Sequence, residues 1–356
     1  MKKPLLTLAA ILLVTACGKG ADAPPQKAAA PAGPCQLNLF IWSEYMDPEI
    51  ITTFEQKYGC KVTIDLYEDN ESMVAKLQAG GTSLYDVVVP GQYMVQSMAK
   101  LGLLQPLNHA NIPNIANLDD TFKNPVYDPG NKYSVAYQWG TIGIYMRRAP
   151  GTTVEESWAL LFDSKKQPGA FLLMDALREM IGPALMYLGK SVNSTDPTDL
   201  QAARDLLTDA KKRSQGFESG VGGKNKVRSK DVAAAVVYNG DAERDIEQFP
   251  DTYFFVPKEG SVIWVDNLAI PAKAPHLDAA EKFLNFILDP QIGAQLSNYI
   301  RFASPNKAAR QYLNPSDQNN PFLYPTADEI KRLQFIEDLG NQNQLYDEVW
   351  TQVKSK

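Results

Sequence analysis

Carboxylates and aromatic rings recur together along this chain: Trp42 with Glu44 and Tyr45, Tyr238 with Asp241, and Trp264 with Asp266. That combination suits an alkylammonium, whose N–H donors need carboxylates while aromatic faces cover its methylenes and attract its charge. A slender dication with an apolar middle meets both needs. Each desolvated cation–π contact contributes roughly 0.5 to 2 kcal/mol and each charged hydrogen bond about 1.5 to 3 kcal/mol. Two ends held in this way reach micromolar binding, about 8 kcal/mol, after the costs of association.

Other chemistries are poorly supplied. Two histidines and three cysteines leave little material for a zinc site or a His-based catalytic centre, so no metal and no cofactor is expected. Ser97-Met98-Ala99-Lys100 has the Ser-x-x-Lys spacing of penicillin-binding enzymes, yet no Lys-Thr-Gly or Ser-Asp-Asn companion exists, and it reads as an ordinary helical face. His109 and His276 have no adjacent nucleophile, and an enzyme is not expected. The formal charge, 35 − 41 = −6, argues against a nucleic-acid partner and favours a cationic one.

The elements that must position these side chains follow an alternating pattern. Leu37 to Ile41 predicts a strand, and Asp47-Pro48 starts a helix that Gly59 stops. Val62, Ile64 and Leu66 predict a second strand. Asn70 caps a second helix that ends at Gly80-Gly81, and Asp86 to Val89 reads as a strand buried on both faces. This βαβαβ order opens a doubly wound sheet, in which ligands bind beyond the carboxyl ends of the strands. Those ends are Trp42-Ser43-Glu44-Tyr45, Tyr67-Glu68-Asp69-Asn70 and Pro90-Gly91-Gln92-Tyr93, polar and acidic rather than a glycine-rich phosphate cradle.

Further along, Phe171 to Met174 predicts a strand followed by a helix through Arg178, Glu179 and Leu185, and Asp199 to Lys212 an amphipathic helix. Gly216 to Lys230 reads as a loop, and Val232 to Tyr238 as a strand closed by Asn239-Gly240-Asp241. Helices are expected from Asp278 to Leu288 and from Pro290 to Tyr299. At 356 residues, 44% hydrophobic and 21% charged, the chain is long enough for two lobes.

The N-terminus sets the compartment. Residues 1–16 place Lys2 and Lys3 before an apolar run from Leu5 to Val14, the pattern of a secretory signal peptide. Val14-Thr15-Ala16-Cys17 resembles the lipobox of bacterial lipoproteins, which implies cleavage before Cys17 and lipid attachment to its thiol. Residues 17–34 are Ala- and Pro-rich and read as a tether. Export permits disulfides. Cys35 and Cys60 each lie two residues ahead of a predicted strand, and if those strands are parallel neighbours the thiols sit side by side and bond.

The stretches LNLFIWSEYMDPEII, YDVVVPGQYMV, KYSVAYQWGTIGI, VVYNGD, VPKEGSVIWVDNLAIP and SPNKAAR, in this order and spacing, resemble the spermidine/putrescine-binding proteins of bacterial ABC importers from Leu37 to Lys356. The resemblance implies an α/β fold of the type II periplasmic-binding-protein kind. Each of its two lobes is a mixed, mostly parallel sheet flanked by helices, and a two-strand hinge joins them. Residues 35–140 with 267–310 form the first lobe on this reading, and 141–266 with 311–356 the second. It also implies a periplasmic, lipid-anchored monomer that delivers putrescine or spermidine to a membrane permease.

Residue by residue, Trp42, Ser43, Glu44 and Tyr45 match the family's first binding loop and Tyr93 an aromatic wall. Glu179 falls on an acidic contact, Trp264 on a stacking ring and Asp266 on the carboxylate that grips an ammonium. Tyr238 stands where Trp is usual, and Phe302 where Tyr is common. Ala176 and Ile336 replace a carboxylate and an amide of spermidine-preferring members, whereas Asp241 resembles the acidic residue of the putrescine-preferring branch. Putrescine is therefore favoured, with Asp175 a substitute carboxylate that would readmit spermidine. A sensor of polyamines, or a binder of another small cation, is the competing expectation.

Overall fold

The computed structural model describes residues 34–149, 151–246 and 248–355, and the body from Pro34 onward forms one compact unit. The signal peptide, Cys17 and the tether up to Gly33 lie outside the described residues.

The chain opens with β1 (Cys35–Trp42), α1 (Pro48–Tyr58), β2 (Cys60–Tyr67), α2 (Asn70–Gln78), β3 (Val87–Val88) and α3 (Gln92–Lys100). As expected, Asp47 caps α1 by accepting from the Glu49 N–H at 2.9 Å, Pro48 occupies the first turn, and Gly59 ends the helix with φ of 64°. The cap of α2 differs from expectation: it is Asp69, accepting from Ser72 N at 2.7 Å, while the Asn70 side chain is diverted to Gly91 and Tyr93. β1 pairs in parallel with β2 and with β3, and the register sets Cys35 opposite Cys60, where a disulfide joins them. The expected bond therefore follows from the pairing.

β4 (Ser134–Arg147) comes next, buried along all but its last residue, then α4 (Ala159–Phe162), β5 (Phe171–Met174), α5 (Leu177–Tyr187) and α6 (Pro197–Arg213). β6 (Phe217–Glu218), α7 (Gly220–Arg228), β7 (Ala234–Tyr238), α8 (Asn239–Ile246), β8 (Thr252–Phe255) and β9 (Ser261–Ala269) follow. The chain closes with α9 (Leu277–Ile287), α10 (Pro290–Ile300), α11 (Pro315–Gln318), α12 (Ala327–Ile330), β10 (Leu333–Phe335) and α13 (Asn343–Ser355).

The loop expected over Gly216 to Lys230 is replaced by β6 and α7. Gly220, Gly222 and Gly223 lower the intrinsic helix propensity of this stretch, but tertiary packing overrides it. Ser219 caps the helix by accepting from Gly222 N at 3.1 Å, and a Cβ on Gly220 would lie 2.8 Å from the Tyr238 ring. The glycines are there for close approach to β7 rather than for flexibility.

The strands run in the order β2-β1-β3-β9-β4-β7-β5-β6, with β10 on β9 and β8 on β4. β4 serves both halves of this mixed sheet. Its residues 134–141 pair antiparallel with β9, and residues 142–147 pair with β7 and β8. The register shifts between Ala136 and Gln138, an irregularity that coincides with Tyr137, whose hydroxyl donates to Tyr45 O at 2.6 Å. Among the described residues no helix is long and apolar enough to cross a membrane.

Candidate functional site

Beyond the carboxyl ends of β1, β2 and β3 lies a cavity of about 630 Å³, its open mouth included. It gathers Trp42, Ser43, Glu44, Tyr45, Tyr93, Glu179, Tyr238, Asp241, Trp264, Asp266 and Phe302 around one space. Of the candidate ligand contacts singled out from sequence, Asp175 is the one outside this lining. Its carboxylate takes Lys354 Nζ at 2.8 Å on both oxygens and is 44% exposed, so it offers no substitute contact in the cavity.

The rings form a connected wall. Tyr238 meets Trp264 edge to face at 5.7 Å, Trp264 meets Phe302 at 5.2 Å, Phe302 meets Tyr45 at 5.4 Å and Tyr45 meets Tyr137 at 5.2 Å. Each edge-to-face contact holds its neighbour's orientation. Trp42 is fixed by donating Nε1–H to Val89 O at 2.9 Å. Asn70 accepts from Gly91 N at 3.0 Å and donates to the Tyr93 hydroxyl at 3.1 Å, tying the second and third strand ends together.

The α8 backbone approaches this wall so closely that only glycine fits at Gly240, where a Cβ would lie 2.5 Å from Arg301 O and would overlap the Phe302 ring. Gly240→Ala is expected to displace that ring, and with it Trp264 and Tyr45, weakening amine binding roughly tenfold, about 1 to 2 kcal/mol. A calorimetric titration within twofold of the parent, with an unchanged circular dichroism spectrum, would contradict this.

The carboxylates divide into two groups. Glu44 and Asp241 already have cations: Lys224 Nζ lies 2.9 Å from Glu44 Oε2, and Arg244 Nη2 lies 2.9 Å from Glu44 Oε2 and 2.6 Å from Asp241 Oδ1. Burial pushes the Glu44 pKa up, but Lys224, Arg244 and Arg228 outweigh it and hold the carboxyl below its ordinary value. Burial raises that of Asp241 despite Arg244 and Lys224.

Asp266 and Glu179 are different. Asp266 is 9% exposed and Glu179 7%, and among the described residues neither makes an ion pair. Burial pushes Asp266 up to about 7, with the Tyr45 hydroxyl a small opposing pull. Burial, and then the neighbouring Glu71 carboxylate, push Glu179 up to about 8 although it sits in the first turn of α5. The Tyr45 hydroxyl beside Asp266 is itself buried without a hydrogen bond of ordinary geometry.

Glu68, Asn70, Gly91, Gln92, Gly220 and Val221 also line the cavity. The first four fall in the strand-end segments recognisable from sequence, but nothing there distinguished Gln92, which donates to Ile336 O at 3.3 Å and accepts from Val265 N at 3.0 Å. Gly220 and Val221 lie in α7, where the sequence predicts a loop and so gives no sign of a cavity wall. Among the described residues no cluster of His, Cys, Asp and Glu has the arrangement of a metal site.

A sequence profile of bacterial extracellular solute-binding proteins matches residues 49–323. The chain is 35% identical over 323 residues to the spermidine/putrescine-binding periplasmic protein of Escherichia coli strain K12, covering 90% of this chain and 91% of the relative. A solved structure from Listeria monocytogenes, described as a spermidine/putrescine ABC transporter, superposes with a TM-score of 0.84 at 34% identity, covering 90% of this chain and 98% of that one. A lipoprotein of Treponema pallidum gives a TM-score of 0.79 at 28% identity, covering 90% of this chain and all of the other. The α/β periplasmic-binding-protein fold expected from the resemblance is the fold found.

Proposed function

The chain belongs to the bacterial extracellular solute-binding proteins, and we propose that it captures a polyamine, putrescine ahead of spermidine, and delivers it to the permease of an ABC importer. The family and these relatives are transport proteins rather than enzymes. One observation carries the ligand class: two buried carboxylates without ion-pair partners, Asp266 and Glu179, face a cavity walled by connected aromatic rings. A buried anion left unpaired is costly. A diammonium supplies the missing charges, and the rings cover its methylenes.

Capture follows from closure of two lobes, residues 35–140 with 267–310 and 141–266 with 311–356. In support of that division, β4 and β9 cross its boundaries, and Glu44 from one side pairs with Lys224 and Arg244 from the other. Ring contacts from Trp42, Tyr45 and Tyr93 on the first side, combined with Asp266 and Glu179 on the second, exist together only when both sides meet and so shift the population toward the closed form. The preference for putrescine rests on Ala176 and Ile336, neither of which brings a charge, and on the outward placement of Asp175. A lipid on Cys17 would hold this monomer at the membrane, as the lipoprotein relative suggests.

Thermal unfolding of the purified chain with putrescine, cadaverine, spermidine and spermine tests the reading, with lysine and arginine as controls. At a hundredfold excess over Kd a ligand stabilises by about 2.7 kcal/mol, so a shift of several degrees is expected for the preferred diamine and none for the amino acids, whose α-carboxylates meet acidic walls. Stabilisation by the amino acids alone would overturn it.

A further inference from the structure

At the Glu44–Asp241 end the cavity already contains cationic groups of the protein itself. Lys224 lies in α7 and is 3% exposed, with its ammonium 2.9 Å from Glu44 Oε2. Arg244, from the last turn of α8, bridges Glu44 Oε2 and Asp241 Oδ1 and also donates to Glu44 O at 3.1 Å. Glu44 and Asp241 thus have cations of the protein itself before any ligand arrives, and the exposed Glu68, which interacts with both, is the lining carboxylate there without an ion pair among the described residues. Glu44 adopts a left-handed backbone with φ of 50°, uncommon for a residue with a Cβ, and its side chain and carbonyl both engage these cations. Asp266 and Glu179 hold no such partner.

We infer that Lys224 is a specificity-determining residue: a built-in ammonium that, with Arg244, occupies Glu44 and Asp241 at one end of the cavity and so favours a ligand with the two charges that Asp266 and Glu179 call for. A diamine satisfies that demand. A triamine brings a further ammonium to an end where Lys224 and Arg244 already occupy Glu44 and Asp241, so it meets two fixed cations with only the exposed, solvent-screened Glu68 to accept it, and its additional charge gains little there. The position of Lys224 follows from the glycine-rich start of α7, which lets that helix press against Tyr238 and Asp241. This inference rests on the polyamine reading and extends it to chain length.

The test is the ratio of spermidine to putrescine affinity, measured by calorimetry on the parent and on Lys224→Met, which keeps a stem of similar length without the charge. Methionine leaves Glu44, 43% exposed, with one cation fewer. The ratio is expected to rise at least tenfold in the variant, and the parent is expected to bind spermidine no more tightly than putrescine. A ratio within twofold of the parent's would overturn the inference and mark Lys224 as a plain closure contact. Should the variant fail to fold, the parent still decides: spermidine bound tenfold more tightly than putrescine contradicts an end already occupied by Lys224 and Arg244. Absence of binding to every polyamine by the folded parent would instead defeat the functional reading.

Discussion

Asp266→Asn is expected to bind putrescine on the order of a hundredfold more weakly, and yet to unfold at a higher temperature than the parent. The first effect removes the charge that accepts an ammonium while keeping the shape of the side chain; hydrogen bonds to charged groups are worth about 1.5 to 3 kcal/mol, and more where both partners are desolvated. The second arises because the carboxyl is 9% exposed, has no cation, and is pushed by burial from 3.8 up to about 7. At about 1.4 kcal/mol per pKa unit, ionising it costs the free folded protein up to about 4 kcal/mol. An amide keeps part of that desolvation cost, so a net gain of roughly 1 to 2 kcal/mol is expected, or about 1.5 to 3 °C.

The sign with pH is fixed by the direction of the shift. The unfolded chain ionises Asp266 above about pH 4, whereas the folded protein does so only above about 7. The parent's deficit therefore develops between those values and is complete above the higher one. The variant's advantage should be absent near pH 4 and full at pH 8. Calorimetric titration with putrescine and thermal unfolding at both pH values check this. Parental affinity, or a variant less stable than the parent at pH 8, would remove Asp266 from the site.

The second large effect is on affinity itself. Asp266 at about 7, Glu179 at about 8 and Glu71, which burial pushes up to about 7, are largely protonated at pH 6 in the free protein. An ammonium ligand binds their ionised forms, so capture must release protons. The apparent Kd for putrescine should fall at least tenfold between pH 6 and 8, approaching one decade per pH unit for each proton released. It should level off above about pH 9, where alkylamines begin to lose their own charge. Titrations in two buffers of different ionisation enthalpy count the protons directly. Constant affinity from pH 6 to 8, with no buffer dependence, would show that capture releases no proton from these carboxyls.

The strand ends that border the cavity were legible because period-two runs, Gly59 and Asp47-Pro48 leave few alternatives, and the Cys35–Cys60 bond follows once β1 and β2 pair in parallel. Trp42, Glu44, Tyr45, Tyr238, Asp241, Trp264 and Asp266 were legible from the recurrence of carboxylates beside rings at predicted loops, whereas the roles of Tyr93, Glu179 and Phe302 were implied only by the family resemblance. What escaped was pairing across distance. Lys224 to Glu44 spans 180 positions and Arg244 to Glu44 spans 200, and no local pattern marks either. α7 escaped because three glycines in its first turn read as a break, when they are a condition of packing against Tyr238 and Ala235. The long run of β4 was likewise opaque, since a strand that changes partners halfway carries no signal of where the exchange occurs.

The bond between the first residues of β1 and β2 has a mechanical consequence. The polypeptide preceding Pro34 joins the body at that edge, and eight strand residues, about 25 Å of extended chain, separate it from Trp42 at the rim of the cavity. Tension applied through the leading segment is shared at once between two adjacent strands by a covalent crosslink, and it dissipates into the sheet before reaching the mouth. A pull at Cys35 would thus load the β1–β2 edge first, with Trp42 at the other end of β1.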